Sequence, residues 1–312
     1  MINGIQYLPG TQIDKEKWNL CVANNKRSYI YAYTWYLDAA ADNWDGLVWG
    51  DYEIILPVTW RKKWGIKYIY QPVYAQVLPI VGNISAQPGI VVAFMDTLIK
   101  KFRWIHTQTD IAFTLNEQAV INRRSNYYLP LTNIHGNAAY RHTKEFKKNL
   151  NKSTGLSLEK VNDVGTIISY YNSAYGKYLP DREKDIEKLQ NLLKAAHQHE
   201  ACDYYTVVNE RNEILFAAAL LKEKDRLIYI AAAPNQEGRN RSATHFFIDA
   251  IIQRYAGTGY IFDFGGSDVP NVASFFKKFS PEKEVIYEIT INRLPFILKK
   301  IKALKEQLNS SS

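Results

Sequence analysis

Two consecutive stretches decide the fold: Glu213-Ile214-Leu215-Phe216-Ala217-Ala218-Ala219-Leu220-Leu221-Lys222-Glu223 and Arg226-Leu227-Ile228-Tyr229-Ile230-Ala231-Ala232-Ala233-Pro234. Each is an apolar run closed by charged or turn residues, and a tight polar turn joins them, which predicts a hairpin. Tyr204 to Val208 precedes them across the turn Asn209 to Asn212, so three strands form an antiparallel meander. The same plan occurs earlier in the chain. Glu53-Ile54-Ile55-Leu56-Pro57-Val58-Thr59-Trp60-Arg61-Lys62-Lys63 is followed by Gly65-Ile66-Lys67-Tyr68-Ile69-Tyr70-Gln71-Pro72, with Gly46 to Gly50 as the preceding strand.

Working outward, each meander leads into a helix, and there the two halves match best. Phe94-Met95-Asp96-Thr97-Leu98-Ile99-Lys100-Lys101-Phe102 parallels Phe247-Ile248-Asp249-Ala250-Ile251-Ile252-Gln253-Arg254-Tyr255. Ala243, Phe246, Phe247, Ala250 and Ile251 recur at helical spacing and form one apolar face. Ser242 stands where an N-cap is wanted, and Gly257 ends the helix. A strand follows at Tyr260 to Phe264, then a helix from about Val269 to Lys278, a strand at Glu284 to Ile291, and a terminal helix at Leu294 to Leu308. Asp14 to Asn24, Tyr33 to Ala41, a basic stretch Asn137 to Ser153, and Asp181 to His199 also read as helices. A repeat of this kind implies an α/β (α+β) chain of two tandem lobes, 1–135 and 136–312, each a mixed, mainly antiparallel sheet flanked by helices.

The bulk numbers agree. The 312 residues suit two ordinary domains, and 46% apolar with 22% charged residues is globular composition. The net charge of +8 favours anionic partners such as nucleotides, RNA or acidic lipid heads without choosing among them. No helix-turn-helix, RNA-binding aromatic signature, Walker loop, Rossmann glycine fingerprint or Ser-His-Asp order is visible. Cys21 and Cys202 offer neither a disulfide framework nor zinc spacing, and His197 and His199 diverge on a helix, so no metal site is expected. Met1 to Trp18 lacks the apolar core of a secretory signal, and runs such as Ile90 to Met95 are too short to span a bilayer. A cytoplasmic location is the expectation.

The order meander, polar loop, helix, strand, helix, strand resembles the GNAT acyltransferase superfamily, and its two-copy form resembles the FemAB-like (BioF2-like) branch. Three stretches carry the resemblance. Tyr140-Arg141-His142-Thr143-Lys144-Glu145-Phe146-Lys147-Lys148-Asn149-Leu150-Asn151-Lys152 is similar to the family's basic, Asn-containing helix. Tyr260-Ile261-Phe262-Asp263-Phe264-Gly265-Gly266-Ser267 looks like its strand end, and Pro234 to Ala243 sits where its donor loop sits. The resemblance implies transfer of an acyl or aminoacyl group to an amine in a cleft between the lobes. It also implies acyl-CoA or aminoacyl-tRNA as co-substrate, no tightly bound cofactor, and a cell-wall precursor, polyamine, sugar or peptide as acceptor.

The residues add their own reading. Asn235-Gln236-Glu237-Gly238-Arg239-Asn240-Arg241-Ser242 is a polar, Gly-containing loop feeding a helix amino terminus, where unpaired N–H groups favour an anion. Gln236, Gly238, Arg239, Asn240, Arg241, Ser242 and Ala243 are therefore the donor-site candidates, the arginines supplying charge-assisted bonds. Read from Arg239, Ser242 and Thr244 occupy the two small-residue places of the GNAT signature Arg/Gln-x-x-Gly-x-Gly/Ala, a departure that obstructs close backbone approach by coenzyme A. The equivalent first-half stretch, Val73 to Gly89, is longer, mostly apolar and free of arginine, with no compact glycine turn before its helix. The donor is thus expected in the second lobe only, with Trp35, Tyr74, Gln76, Gly265, Gly266 and Ser267 as the acceptor-cleft candidates and the glycine pair allowing close backbone approach.

Tyr229 and Asp263 are the proton-moving candidates by position; a core tyrosine and a cap for the helix near Val269 are the alternative readings. Arg141, Lys144, Lys147 and Lys148 form a basic face, Lys144, Lys147 and Lys148 by their i, i+3, i+4 spacing, suited to tRNA or simply to solvent. Two further functions stay open: a catalytically silent binding protein for an anionic or nucleotide-linked ligand, and an RNA-associated accessory factor.

Overall fold

The computed structural model describes residues 4–114, 119–132, 139–265 and 269–300. In chain order these form β1 (Ile5–Pro9), α1 (Lys15–Asn24), α2 (Thr34–Ala40), β2 (Trp44–Trp49), β3 (Ile54–Lys63), β4 (Ile66–Ile69), β5 (Val81–Gly82), α3 (Ile90–Lys101), β6 (Trp104–Thr109) and β7 (Ala119–Pro130). There follow α4 (Lys144–Lys152), β8 (Ser157–Val161), α5 (Val164–Tyr175), α6 (Arg182–Gln198), β9 (Cys202–Val208), β10 (Ile214–Glu223), β11 (Arg226–Pro234), α7 (Gln236–Asn240), α8 (Ala243–Arg254), β12 (Ile261–Asp263), α9 (Pro270–Lys277) and β13 (Glu282–Asn292).

Two compact units emerge. The first comprises residues 1–25, 31–123 and 286–312, the second 26–30 and 124–285. The division is interleaved, so it does not coincide with one cut at 135/136. Its cause is strand pairing. The end of β13 lies antiparallel to β6 in the first unit, with Tyr287 opposite Thr109 and Asn292 opposite Trp104. The end of β7 lies antiparallel to β12 in the second, with Pro130 opposite Ile261 and Tyr128 opposite Asp263. Each unit thus takes its last strand from the stretch that follows the other unit's main helix.

In the first unit the strands run β1-β2-β3-β4-β6-β13, and β5 pairs with β3. The meander β2-β3-β4 is antiparallel, whereas β4 and β6 are parallel and meet at one residue pair, Ile69 with Ile105. Helix α3 buries Ile90, Phe94, Met95, Leu98 and Ile99, a period that its sequence carries openly, against Leu47, Ile54, Leu56 and Val58 of the meander. Asp14 caps α1 by accepting from the N–H groups of Glu16 and Lys17. The expected second strand to Pro72 stops at Ile69, because beyond it the chain bends to fill the space beside β6.

In the second unit the order is β8-β9-β10-β11-β12-β7, which matches the first unit place for place. Strand β10 is buried from Leu215 to Leu221, with both faces covered, which is why it reads as a continuous apolar run without alternation. Helix α8 has the same length as α3, 12 residues, and buries Ala243, Phe247, Ile248, Ile251 and Ile252 beside Phe216, Leu227 and Phe262. β8 and α5 escape a reading by periodicity: β8 is short and mostly exposed, and the one fully buried side chain of α5 is Ile167. The basic helix begins at Lys144, after a short 3-10 turn at Ala139–His142, and not at Asn137. Residues 137 and 138, Gly266 and Ser267, and the part of the expected terminal helix from residue 301 onward lie outside the described residues. No helix among the described residues is long and apolar enough to cross a membrane.

Candidate functional site

The parallel strands β11 and β12 pair only through Arg226 with Ile261, Leu227 with Phe262, and Ile228 with Asp263. After Asp263 the chain turns aside: the N–H of Phe264 donates to the carbonyl of Tyr127, and Gly265 adopts a φ of 79°. Strand β11 continues alone on that side from Tyr229 to Pro234, so the two strands fork. A bulge sharpens the fork. Between β10 and β11 the register shifts where Ala219 faces Ala231 but Leu220 faces Tyr229, leaving Ile230 as the extra residue and bending the strand. Gly265 lies in the crotch; a Cβ there would come within 3.1 Å of the Tyr229 carbonyl oxygen, in a left-handed backbone that already suits glycine.

Below the fork is a buried ionic network. Arg226 donates through one terminal nitrogen to Asp263 Oδ2 at 2.7 Å and to Glu284 Oε1 at 3.0 Å, while Asn126 donates to Glu284 at 2.7 Å. Asp263 is fully buried and also accepts from the N–H of Gly265 at 2.8 Å. Burial raises its pKa above the ordinary carboxylate value, with Arg226 opposing. Burial acts likewise on Glu284, but there Arg226 prevails and the pKa falls. Asp263 thus neither opens to solvent nor caps the helix after Val269; it fixes Gly265 and the end of β12.

Tyr229 projects beside Phe247, Phe262 and Phe276, with ring centroids 6.0, 6.1 and 6.4 Å away. Its hydroxyl is desolvated, and burial, followed by the nearby Tyr175, pushes its pKa well above that of free tyrosine. The phenol therefore stays protonated throughout the physiological range. Tyr175, at the end of α5, is 41% exposed and packs on Tyr171 at 5.4 Å. Its own pKa is raised by burial and eased downward by Arg239. No sequence signal marks Tyr175 as a site residue, because α5 buries too little of itself to show a helical period.

The segment before α8 departs from the expected loop. Gln236–Asn240 forms the one-turn helix α7, with Asn235 accepting at its N-cap from Gly238 N–H and donating to the Ile214 carbonyl. Gly238 is buried against β10, where a Cβ would fall 2.1 Å from the Leu215 carbonyl oxygen. It serves packing. Arg241 makes a two-pronged pair with Glu210 at 2.8 and 2.9 Å and donates to the Thr154 carbonyl; the guanidinium holds the Glu210 carboxyl down to about 2. It staples the segment to the turn between β9 and β10 and is not available to a ligand. Arg239 is exposed and has no acidic partner among the described residues, and Gln236 and Asn240 are exposed beside it, 3.4 Å apart.

Ser242 occupies the N-cap position of α8 in a left-handed conformation, φ 56° and ψ 35°, and its hydroxyl does not cap the helix. It donates instead to Asn149 of α4 at 3.3 Å, and the other end of that amide meets His245 at 3.1 Å. The first-turn N–H groups of α8, beginning with buried Ala243, are left for a ligand or solvent. Burial, then Lys278, lowers His245 to about 4, so this ring is neutral near pH 7. Through Asn149 the basic helix borders the start of α8. Lys144, Lys147 and Lys148 are exposed with no acidic partner among the described residues, whereas Arg141 is diverted to buried Asp249 at 3.0 Å.

In the first unit the corresponding fork is closed. The N–H of Leu78 donates to the Gln108 carbonyl at 2.8 Å, so the long connection lies along β6 where β4 has departed. Gln71 secures it, accepting from the N–H of Gln108 and donating to the Ala75 carbonyl. A small apolar cavity remains, lined by Ile69, Leu78, Ile80, Met95 and Thr107 among others. Gly89 stands at the N-cap of α3 with φ 84°, so this helix does begin on a left-handed glycine, contrary to the expectation of no such turn. Three of the acceptor candidates lie in this unit, while Gly265 lies in the second: Tyr74 is buried and its carbonyl accepts from Tyr36, Gln76 meets Tyr31 at 3.4 Å, and Trp35 stacks on Tyr33 at 5.9 Å.

No family model matches the sequence, and no curated protein does either. Solved structures do match. FemX shares 11% identity at a TM-score of 0.64, covering 91% of this chain and 96% of that one. The C-terminal domain of a protein assigned as a lysylphosphatidylglycerol synthetase from Agrobacterium fabrum shares 12% at 0.58, covering 89% and 92%. A tandem GNAT protein from the clavulanic acid pathway shares 9% at 0.51, covering 93% and 99%. At such identities the likeness concerns the fold, which is GNAT-like in the FemAB-like, two-lobed form.

Proposed function

We propose that this GNAT-like chain is an N-acyltransferase or aminoacyltransferase whose donor binds at the fork between β11 and β12. One observation carries the reading: at that fork an unpaired strand edge, the start of α8, and a tyrosine held protonated come together. The donor carbonyl lies against the β11 edge, whose N–H groups polarise it. The donor's anionic part lies at the α8 amino terminus beside Arg239. As the acceptor amine attacks, the new C–N bond forms and the C–O or C–S bond breaks. Tyr229 gives its proton to the departing oxygen or sulfur, and the amine's excess proton returns to the tyrosine through water. Asp263 positions rather than reacts, holding Gly265 and Arg226 beneath the fork.

Aminoacyl-tRNA is the favoured donor. Gly238 and Arg241 are both spent on packing, which weakens the case for a coenzyme A pyrophosphate cradle, while the helix that carries Lys144, Lys147 and Lys148 meets the same helix end through Asn149 and suits a longer polyanion. Trp35, Tyr74, Gln76, Gly266 and Ser267 stay in the proposal as acceptor-side residues, and the acceptor is an amine on a cell-wall precursor, polyamine, sugar or peptide. A cytoplasmic setting and an origin by internal duplication belong to the same proposal; the repeated strand order supports the second. The test is a panel of charged tRNAs and acyl-CoAs scored by thermal shift and by donor breakdown with mixed amines. Absence of binding to every donor sinks the reading. Stabilisation by a donor that is never consumed favours the silent binding protein, for which the engaged Gly238 and Arg241 already speak.

A further inference from the structure

The hairpin β3–β4 has a feature that the transfer reading does not use. Pairing between β2 and β3 ends at Trp44 with Thr59, and β4 meets β6 only through Ile69 with Ile105. From Arg61 to Tyr68 the two strands therefore leave the sheet as a ribbon, paired with each other. Its apex is Trp64-Gly65. Both residues have positive φ, 50° and 76°, as a two-residue hairpin turn of this kind demands. Asparagine or aspartate suits the first of those places; a bulky indole there is conformationally costly, and Trp64 is 53% exposed.

Charge follows the same pattern. Lys62 stands directly opposite Lys67, a like-charge cross-strand pair that disfavours folding. Lys62, Lys63 and Lys67 are exposed and have no acidic partner among the described residues, and Arg61 is held by Asp42. No Asp or Glu occurs anywhere from Ile54 to Met95. Lys67 packs its ammonium 3.7 Å from the centre of the Trp60 ring, and Lys63 lies 5.1 Å from that of Trp64. The corresponding turn of the second unit is built otherwise: Glu223 accepts from Ser28, and Lys224 donates to the Arg27 carbonyl at 3.3 Å, so the turn is tethered to residues 27 and 28 and its charges are mixed. That tip is exposed at Lys224 and Asp225 but tethered and mixed in charge. The tip of the first unit is exposed, cationic and carries a tryptophan.

We infer that the Arg61–Tyr68 ribbon is a membrane-surface finger that docks on an anionic phospholipid bilayer, Trp64 entering the interface and Lys62, Lys63 and Lys67 meeting the headgroups. Indole favours the headgroup level of a bilayer, and lysines ringing it gain from the negative surface potential. RNA is the competing anion, but a base needs a flat aromatic platform within a groove that follows the backbone, and a two-residue apex gives neither. This inference stands independently of the transferase reading.

The test is co-sedimentation of the full chain with vesicles of phosphatidylcholine alone and of phosphatidylcholine mixed with phosphatidylglycerol. Binding is expected to favour the mixed vesicles strongly and to weaken with salt, down to a small salt-resistant part. Replacing Lys62, Lys63 and Lys67 together with Ser should weaken it about a hundredfold, at about fivefold per lysine. Trp64→Ser should remove the part that survives in high salt. Replacing Lys144, Lys147 and Lys148 with Ser should leave vesicle binding within about twofold, since these lysines lie outside the ribbon. Failure of the unmodified chain to prefer anionic vesicles overturns the inference whatever the variants do. So does equal loss from both lysine triples, or a loss of single-stranded RNA binding on hairpin substitution with vesicle binding unchanged.

Discussion

The two forks, built to one strand order, part company beyond the third strand of each meander. In the first unit β4 stops at Ile69, and the stretch through Leu78 and Ile80 packs back along β6, leaving a small apolar cavity. In the second, β11 runs on to Pro234, and only the short α7 separates it from α8. The bases of the forks differ as well. Ile69 and Ile105 meet in an apolar cluster with Ile289 in the first, whereas Arg226, Asp263 and Glu284 meet in the second. The first fork is plugged by its own chain, whereas the second is floored by buried charge and topped by a helix end. On the transferase reading proposed above, that difference assigns the donor to the second unit.

The largest expected effect tests the floor. Arg226→Met leaves Asp263 and Glu284 facing each other without their cation, and should cost about 3–5 kcal/mol in chemical denaturation, as when one partner of a buried ion pair is removed. A loss under about 1 kcal/mol would show that the network is dispensable and the contrast between the bases superficial. Next comes Tyr229→Phe, which keeps the packing on Phe247 but removes the proton. Turnover should fall about a hundredfold or more with little change in stability. Unchanged turnover would return Tyr229 to the core, its fate in a closed fork.

The arginines sharpen the comparison further. Arg239→Ala should weaken donor binding by about 1.5–3 kcal/mol without lowering the melting temperature, since the side chain holds no acidic partner among the described residues. Arg241→Ala should do the reverse, loosening the clasp to Glu210 while donor contacts persist. An exchange of these phenotypes would relocate the donor. The smallest effect is one of pH. His245 is depressed to about 4 in the folded chain against 6.5 for an unperturbed histidine, so the unfolded chain binds the extra proton between those values. Its contribution is complete above about pH 6.5 and is lost as pH falls toward 4. That slope should amount to about 1–2 kcal/mol, reduced by the partial exposure of the ring, and His245→Gln should flatten it.

Much of this architecture is legible locally. Apolar runs bounded by turn residues expose the meanders, and the matched runs from Phe94 and Phe247 expose the two helices, because an amphipathic period needs no partner to be recognised. Ser242 reads from its neighbours as the start of α8, but its left-handed backbone and its bond to Asn149 do not, since both depend on α4 arriving from elsewhere in the chain. Arg241 illustrates the limit best. Two arginines in one polar segment look equivalent in sequence, and only the approach of Glu210 from the β9–β10 turn separates the clasp from the free cation.

By itself the sequence determined the repeated hairpins, their order, and the charged turns that close them, because periodicity, turn preference and charge are properties of short stretches. Tertiary structure alone decided which strand ends each unit, which fork stays open, and which charges are buried together. Those choices depend on pairings such as Asn292 with Trp104, made by residues far apart in the chain, and long-range pairing is selected by the burial of the whole unit rather than by any local preference.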